Sequence, residues 1–182
     1  ITAATIVQSY LLLITSPMLG ITGGSQPLIS FNCGANRPDR IRKTFFWVLM
    51  LCFCFTTFMF AVSRIAPQYF VAIFTDEPQY AELAVWGIRT FTLMIIPLSF
   101  QYVIVDGMTA LGMTKTSLTL SLFRKSLYIA ATCILPALFE ARSAFYAEPV
   151  ADGTAAALSC VVFFFAYRKY LRGEGRLDDI KM

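Results

Sequence analysis

Five long apolar segments constrain the fold of this chain more than any other feature of its sequence. Each segment has about 20 or more residues, the length that an α-helix needs to cross the hydrocarbon core of a membrane. The segments are continuously apolar and lack the alternating pattern of membrane-barrel strands, which favours helices. Buried helices of a large soluble protein are the weaker alternative, because five such segments occur within only 182 residues.

The composition supports a membrane protein: 57% of the residues are apolar, only 14% are charged and the mean hydropathy is +0.65. We predict an all-α integral membrane protein, with a bundle of five transmembrane helices in residues 1–172 and a polar cytoplasmic tail in residues 173–182. The predicted helices cover residues 2–34, 44–70, 80–113, 117–139 and 150–170.

The positions of the charges predict an orientation. We assign 12 of the 15 basic residues to the first and third connections and the tail, with Lys115, Arg124 and Lys125 in the third connection, whereas the other two connections are mainly acidic. Basic connections face the cytoplasm, so we expect a multi-pass membrane protein with a cytoplasmic carboxyl terminus. The net charge of +4 comes from short clusters between apolar segments, which indicates lipid head groups rather than nucleic acid as the partner.

Cysteine and histidine usage narrows the possible chemistry. The five cysteines are odd in number and mostly lie in apolar segments, so they form neither a disulfide framework nor a zinc pattern. The chain has no histidine, the commonest general base and metal ligand. No group of nucleophile, base and orienting partner is visible. The sequence therefore predicts neither an enzyme nor a cofactor or metal site.

The segment GGSQPLISFNCGANRPDR, residues 23–40, predicts the end of a membrane helix. Pro27 cannot donate to the helix ladder and predicts a kink or local unwinding, and Gly23 and Gly24 predict the close approach of another helix. Gly34 suits a left-handed helix cap, and Asn36 and Pro38 follow it as stop signals. Basic residues then anchor the helix end at the membrane surface.

A polar stripe on the third predicted helix is the candidate site for ion coupling or substrate binding. Ser99, Tyr102, Asp106 and Thr109 are spaced by three, four and three residues, so they share one helix face. Asp106 is singled out as an acidic residue inside an apolar segment. A carboxyl group in such surroundings is costly when ionised, and reversible protonation there could be coupled to transport.

An alternative places Asp106 at the cytoplasmic interface. Asp106 lies only six residues before Gly112, about 9 Å along a helix, and could pair with Arg124 or Lys125. Both placements of Asp106 stay open at this point. Asp152, at the start of the last helix, is interpreted as an N-terminal acid that complements the helix dipole.

Several motifs, in the same order, resemble the multidrug and toxic compound extrusion (MATE) family. GGSQPLISFNCGANRPDRIRKT resembles a family signature, IFTDEP follows the next helix, and GIRTFTLMIIPLSFQYVIVDGMTALG is similar to the helix after it. LFRKSLYIAATCILPALF and AEPVADGTAAAL resemble the last two helices. The residues that carry the first motif are Gly23, Gly24, Gln26, Pro27, Asn32 and Gly34.

This resemblance implies helices eight to twelve of a twelve-helix, two-lobed secondary antiporter. Such proteins export organic cations in exchange for protons or sodium ions, so the implied partners are membrane lipids, small cationic substrates and a missing amino-terminal lobe. Because the chain starts at Ile1 without an initiator methionine, we expect it to be the carboxyl-terminal part of a longer protein.

One sequence difference and one alternative function qualify the resemblance. Some family members carry an acidic residue earlier in the third helix, where this chain has Ile96 and Phe100, which argues against a sodium site of that type. A flippase for a lipid-linked saccharide, from the same wider superfamily, is the alternative function. Such a protein is expected to need a more basic cavity.

Overall fold

Seven α-helices and two short 3₁₀ turns make up the described part of the chain. The structure is a computed structural model and describes residues 2–139 and 141–166. The α-helices are α1 (Thr2–Gly34), α2 (Pro38–Ile65), α3 (Pro67–Val71), α4 (Pro78–Phe91), α5 (Ile95–Ala110), α6 (Thr114–Leu138) and α7 (Ala147–Ala166), and the 3₁₀ turns are Thr92–Met94 and Ala141–Tyr146.

Five stretches of the described chain are long and apolar enough to cross a membrane. Three of them are α1, α2 and α6, the fourth is Pro78–Ala110, which contains α4 and α5, and the fifth is Ser143–Ala166, which contains α7. Large apolar side chains such as Trp47 and Phe58 are exposed on α2, as expected for a helix that faces lipid. The predicted all-α membrane fold is confirmed.

The predicted limits of the second helix, residues 44–70, are wrong. The helix begins at Pro38, since proline suits the first turn, where its missing N–H has no partner to lose. It ends at Ile65, because Ala66 precedes Pro67 and leaves the helical conformation. The chain then restarts as the short helix α3.

The other predicted helices, 80–113, 117–139 and 150–170, differ from α4–α5, α6 and α7 at their ends or in their continuity. A 3₁₀ turn interrupts the first, because Pro97 has no N–H to donate to the carbonyl of Leu93 in that turn. The last begins at Ala147 instead of residue 150. Its predicted end at residue 170, the predicted domain limit at residue 172 and the predicted tail, residues 173–182, lie outside the described residues.

The left-handed residue after α1 is Asn36, with φ of 51°, so the prediction that Gly34 caps this helix is wrong. Gly34 is the last helical residue. The N–H of Arg37 donates to the carbonyl of Asn32 at 2.9 Å, which closes a Schellman turn around Asn36. Asparagine tolerates this conformation because its short polar side chain bonds locally. Gly112, with φ of 86°, occupies the equivalent position after α5.

The expectations of local unwinding at Pro27 and of close helix contact at Gly23 and Gly24 need correction. α1 continues as α-helix through Pro27 without unwinding, because one proline removes one hydrogen bond while the bonds on either side persist, and a kink there stays a prediction. A methyl group on Gly23 or Gly24 would meet no atom of the described chain within 4 Å. The close approaches in this structure are at Gly87 and Gly107 instead.

Helix α5 lies at the centre of the bundle and contacts α1, α2, α6 and α7. The largest buried apolar cluster joins α1 to α4 and α5, with Tyr10, Ile14, Met18, Ile88 and Leu98 among its members. A second cluster joins α2 to α5. A polar side chain on α5 therefore faces a neighbouring helix on almost any side, and its rotation decides which one.

Candidate buried charge site

The predicted polar stripe on α5 does not form a single site. Ser99 is fully buried and donates to the carbonyl of Ile96 in its own helix at 2.7 Å. The hydroxyl oxygen of Thr109 lies 2.6 Å from that of Ser117 on α6. Only Tyr102 reaches a charged group, as described below. The hydroxyls of Ser99 and Thr109 therefore bond locally or to the neighbouring helix.

Asp106 is half-buried and has neither a hydrogen bond nor an ion pair within the described residues. Its carboxylate lies near enough to interact electrostatically with Cys52 on α2. The alternative pairing of Asp106 with Arg124 is wrong, because Arg124 pairs with two other carboxylates. A role of Asp106 in coupling stays a prediction.

The charged groups of α6 and α7 meet in a buried cluster. Nη1 of Arg124 on α6 donates to Oδ1 of Asp152 on α7 at 2.9 Å and lies 3.7 Å from Oε1 of Glu148. Asp152 is 1% exposed and Glu148 is 7% exposed. The guanidinium carbon of Arg124 lies 5.7 Å from the ring centre of Tyr102 on α5. We call Tyr102, Arg124, Glu148 and Asp152 the Arg124 cluster.

The cluster lies inside membrane-spanning helices. Arg124 is ten residues into α6, about 15 Å from its start, so assigning Arg124 and Lys125 to a connection is wrong. The interpretation of Asp152 as an N-terminal acid is also wrong. Glu148 occupies the first turn of α7, whereas Asp152 lies one turn further in and pairs with Arg124. Packing of α6 against α7 buries these charges and forces them to pair.

The electrostatics of the cluster are unbalanced when both carboxyl groups are ionised. Two negative charges, on Glu148 and Asp152, then share the one guanidinium group of Arg124, while the ammonium group of Lys125 acts on both carboxylates from outside the cluster. Burial disfavours charged carboxylates, and the guanidinium group offsets this effect through charge-assisted hydrogen bonding. A proton on one carboxyl group would leave the other carboxylate as the sole anionic partner of Arg124.

A small polar cavity lies beside Arg124. It has a volume of about 60 Å³ and is lined by Gln101, Tyr102, Val105, Ser121 and Arg124. Oε1 of Gln101 is buried and, within the described chain, accepts no hydrogen bond. Oδ2 of Asp152 is likewise buried without a donor from that part of the chain. Such oxygen atoms can bond to a water molecule, and a carboxylate oxygen can also take up a proton.

The family-motif residues between Gly23 and Gly34, which we call the α1 motif, lie apart from this cluster. Asn32 donates to the carbonyl of Leu28 at 2.8 Å and is buried, so it supports the end of its own helix. Gln26 is half-buried and Pro27 is exposed. The link from this end of α1 to α5 is a hydrogen bond of 2.9 Å from Ser30 to the carbonyl of Ala110. The α1 motif therefore supports a helix end.

Sequence reasoning overlooked three members of the Arg124 cluster, although a signal was present. The rule that selected Asp106, a charged residue within an apolar segment, also selects Arg124 in LFRKSLYIAA and Asp152 in PVADGTAAAL. Counting Arg124 as part of a connection concealed it. Tyr102 was the predicted site residue that the structure brings into the cluster.

A family model described as MatE matches residues 1–134. The chain belongs to the MATE family of membrane transporters. The matched residues contain α1 to α5 and most of α6, including Arg124. No curated protein and no solved structure matches the chain. MATE proteins are transporters rather than enzymes, and the five apolar helices agree with a multi-pass membrane protein of this family.

Proposed function

We propose that this MATE chain is part of a secondary antiporter that exports organic cations in exchange for an inward-moving ion. The observation that carries the proposal is the buried Arg124 cluster, in which two carboxyl groups compete for one guanidinium group. An antiporter needs a group within the membrane that changes its charge during the cycle. Asp152, with one oxygen bonded to Arg124 and the other without a donor, meets this need.

The geometry favours a proton over a sodium ion at this cluster. Arg124 already lies against both Glu148 and Asp152, so a metal ion bound there would experience strong repulsion from a positive charge a few ångströms away. A proton needs no such space, because it binds covalently to a carboxylate oxygen. Protonation of Asp152 weakens its bond to Arg124 and so loosens the contact between α6 and α7.

The two-lobed architecture of the MATE family suggests where this chain lies in the complete transporter. We propose that the chain provides helices eight to twelve and that a second, amino-terminal lobe completes a cavity for small cationic substrates. The expected location is the bacterial plasma membrane with a cytoplasmic carboxyl terminus. The two buried carboxyl groups of the Arg124 cluster support cation export over transport of a lipid-linked saccharide pyrophosphate, which an anionic group repels.

Efflux driven by a pH gradient tests this proposal in the protein at its natural length. We expect Asp152→Asn to abolish pH-driven ethidium export, measured as uptake into everted vesicles whose lumen corresponds to the cell exterior, because an amide cannot exchange the proton. Asp76→Asn is the matched control, since Asp76 is exposed near the start of α4, and it should keep wild-type efflux. Normal efflux by Asp152→Asn at wild-type protein levels would contradict the proposal.

Asp106→Asn in the same assay separates the two candidate carboxyl groups. Loss of pH-driven efflux in Asp106→Asn but not in Asp152→Asn would move coupling to Asp106. Replacing the pH gradient by a sodium gradient tests the coupling ion. Efflux that needs sodium and ignores pH would contradict the assignment of the proton.

A further inference from the structure

The side chain of Arg89 reaches the backbone of Arg64 at the end of the bundle where α2 ends, in a place separate from the Arg124 cluster. Arg64 is the penultimate residue of α2, and Arg89 lies in the last turn of α4. Nη2 of Arg89 donates to the main-chain oxygen of Arg64 at 3.2 Å. The two positive charges are close enough to affect each other. Like charges in such proximity favour the binding of an anion.

Neither arginine has a counter-ion within the described residues. The ion pairs found there belong to Arg42 and Arg124. The guanidinium carbon of Arg64 lies 4.5 Å from the ring centre of Phe60, which fixes its position. Nη2 of Arg64 is buried and donates no hydrogen bond in this part of the chain. Arg64 therefore holds a buried guanidinium donor without an acceptor in the described chain, and an anion would reach the pair from the side of the exposed Arg89.

Large apolar side chains are also exposed next to Arg64 along the chain. The segment that follows Arg64 exposes Ile65, Tyr69, Ile73 and Phe74, which are between 50% and 77% exposed. Adjacent positive and apolar groups are typical of the membrane interface, where basic side chains reach head groups and apolar ones reach hydrocarbon. The surface therefore combines both features that an anionic phospholipid needs.

We propose that Arg64 and Arg89 bind the phosphate group of an anionic phospholipid, whose acyl chains contact the exposed apolar side chains after α2. Guanidinium groups match the geometry of phosphate oxygens and bind them through charge-assisted hydrogen bonds. The phosphate offsets the repulsion between the two arginines. A zwitterionic lipid binds less tightly, because its ammonium group brings a positive charge to the same place.

Lipid titration of the purified protein at its natural length tests the site without a transport assay. The probes are phosphatidylglycerol, phosphatidylcholine and inorganic phosphate, added to detergent micelles while the midpoint of thermal unfolding is followed. We expect phosphatidylglycerol to raise the midpoint most. Arg64→Gln and Arg89→Gln should each weaken this lipid's apparent affinity roughly tenfold, because each removes a charge-assisted contact.

Matched variants separate this site from a general effect of charge. Arg40→Gln removes one exposed positive charge near the start of α2, at its opposite end, and should keep wild-type lipid binding. Arg64→Lys keeps the positive charge but loses the planar guanidinium group that can donate two parallel hydrogen bonds. This variant should therefore bind phosphatidylglycerol more tightly than Arg64→Gln. If Arg64→Gln does not fold, Arg89→Gln still decides the test, because Arg89 is exposed.

Three results would overturn the proposal. Equal stabilisation by the two lipids would show that the anionic head group is not recognised. Wild-type preference for phosphatidylglycerol in Arg89→Gln would show that the pair is not the site. Stabilisation by inorganic phosphate equal to that by phosphatidylglycerol would assign the pair to a free phosphate group and exclude a lipid-specific site.

Discussion

At the scale of single residues, two pairs of glycines differ in their surroundings. Gly23 and Gly24 have no neighbour within 4 Å of an added methyl group in the described chain, although their position before Pro27 predicted helix contact. A methyl group on Gly107 would overlap the ring of Phe45 on α2, and one on Gly87 would lie 2.7 Å from a methyl carbon of Val7. The positions where helices touch closely depend on the packing of α5 and α4.

Gly107→Ala should destabilise the protein by about 1–3 kcal/mol, because Phe45 is buried and its ring must move to make room. That movement also disturbs the contact between Phe45 and Phe163, whose ring centres are 5.2 Å apart. Equilibrium unfolding in micelles with a rising proportion of denaturing detergent measures the change in the free energy of unfolding. Gly24→Ala is the control, and we expect it to be neutral or to stabilise by about 0.5–1 kcal/mol. Equal losses in both variants would contradict the close contact at Gly107.

At the scale of the elements, a hydroxyl pair connects α5 to α6 near their shared turn. The hydroxyl of Ser117 lies 3.0 Å from the carbonyl of Val105 and 2.6 Å from the hydroxyl of Thr109. The Schellman turn around Gly112 brings the two helices together. Because lipid offers no replacement hydrogen bonds, these contacts help to fix the register of α6 against α5. This register carries Arg124 toward α7.

Ser117→Ala should lower the free energy of unfolding by about 1 kcal/mol, the net contribution of a typical hydrogen bond. Thermal unfolding in detergent measures the change. The matched control is Thr119→Ser, in the same helix, where an exposed hydroxyl bonds only to the carbonyl of Lys115 one turn earlier. Replacing threonine by serine keeps that hydroxyl, so stability should hardly change. The prediction fails if Ser117→Ala is as stable as the control.

At the scale of the whole molecule, the two ends of the bundle differ in charge. The turns after α1 and α5 lie at the same end, where Ser30 bonds to Ala110, and this end carries Arg37 and Lys115. The opposite end carries Asp76 and Glu77 before α4. The structure supplies this polarity, and the positive-inside rule then predicts which end faces the cytoplasm.

Cysteine labelling in intact cells tests this orientation. In a parent protein whose own cysteines are replaced by alanine or serine, Gln79→Cys should react with a membrane-impermeant maleimide from outside. Lys115→Cys should react only after the cells are permeabilised, because it lies at the basic end. The cysteine-free parent controls for background labelling. Labelling of Lys115→Cys in intact cells would show the reverse orientation.

The ends of the helices were harder to predict from the sequence than the number and order of the helices. Apolar length revealed the five spans and their order, but Pro38 and Pro67 set the ends of α2 and its continuation as α3. Pro38 was interpreted as the stop of the first helix and not as the start of the second, and apolar patterning outweighed the signal of Pro67. The candidate site was harder to predict, since Tyr102 was selected for its place on α5 while its partners lay on α6 and α7.

The sequence by itself determined that this is an all-α membrane protein of the MATE family. The lengths of the apolar segments and the order of the motifs can be read without knowing which residues are in contact. Only the tertiary structure decided which charges are buried together. Arg124 and Asp152 are 28 positions apart, and their pairing depends on how α6 and α7 pack. Helical periodicity places a side chain on a face but leaves open which helix covers that face. For that reason Asp106 stood out in the sequence, and the Arg124 cluster became visible in the fold.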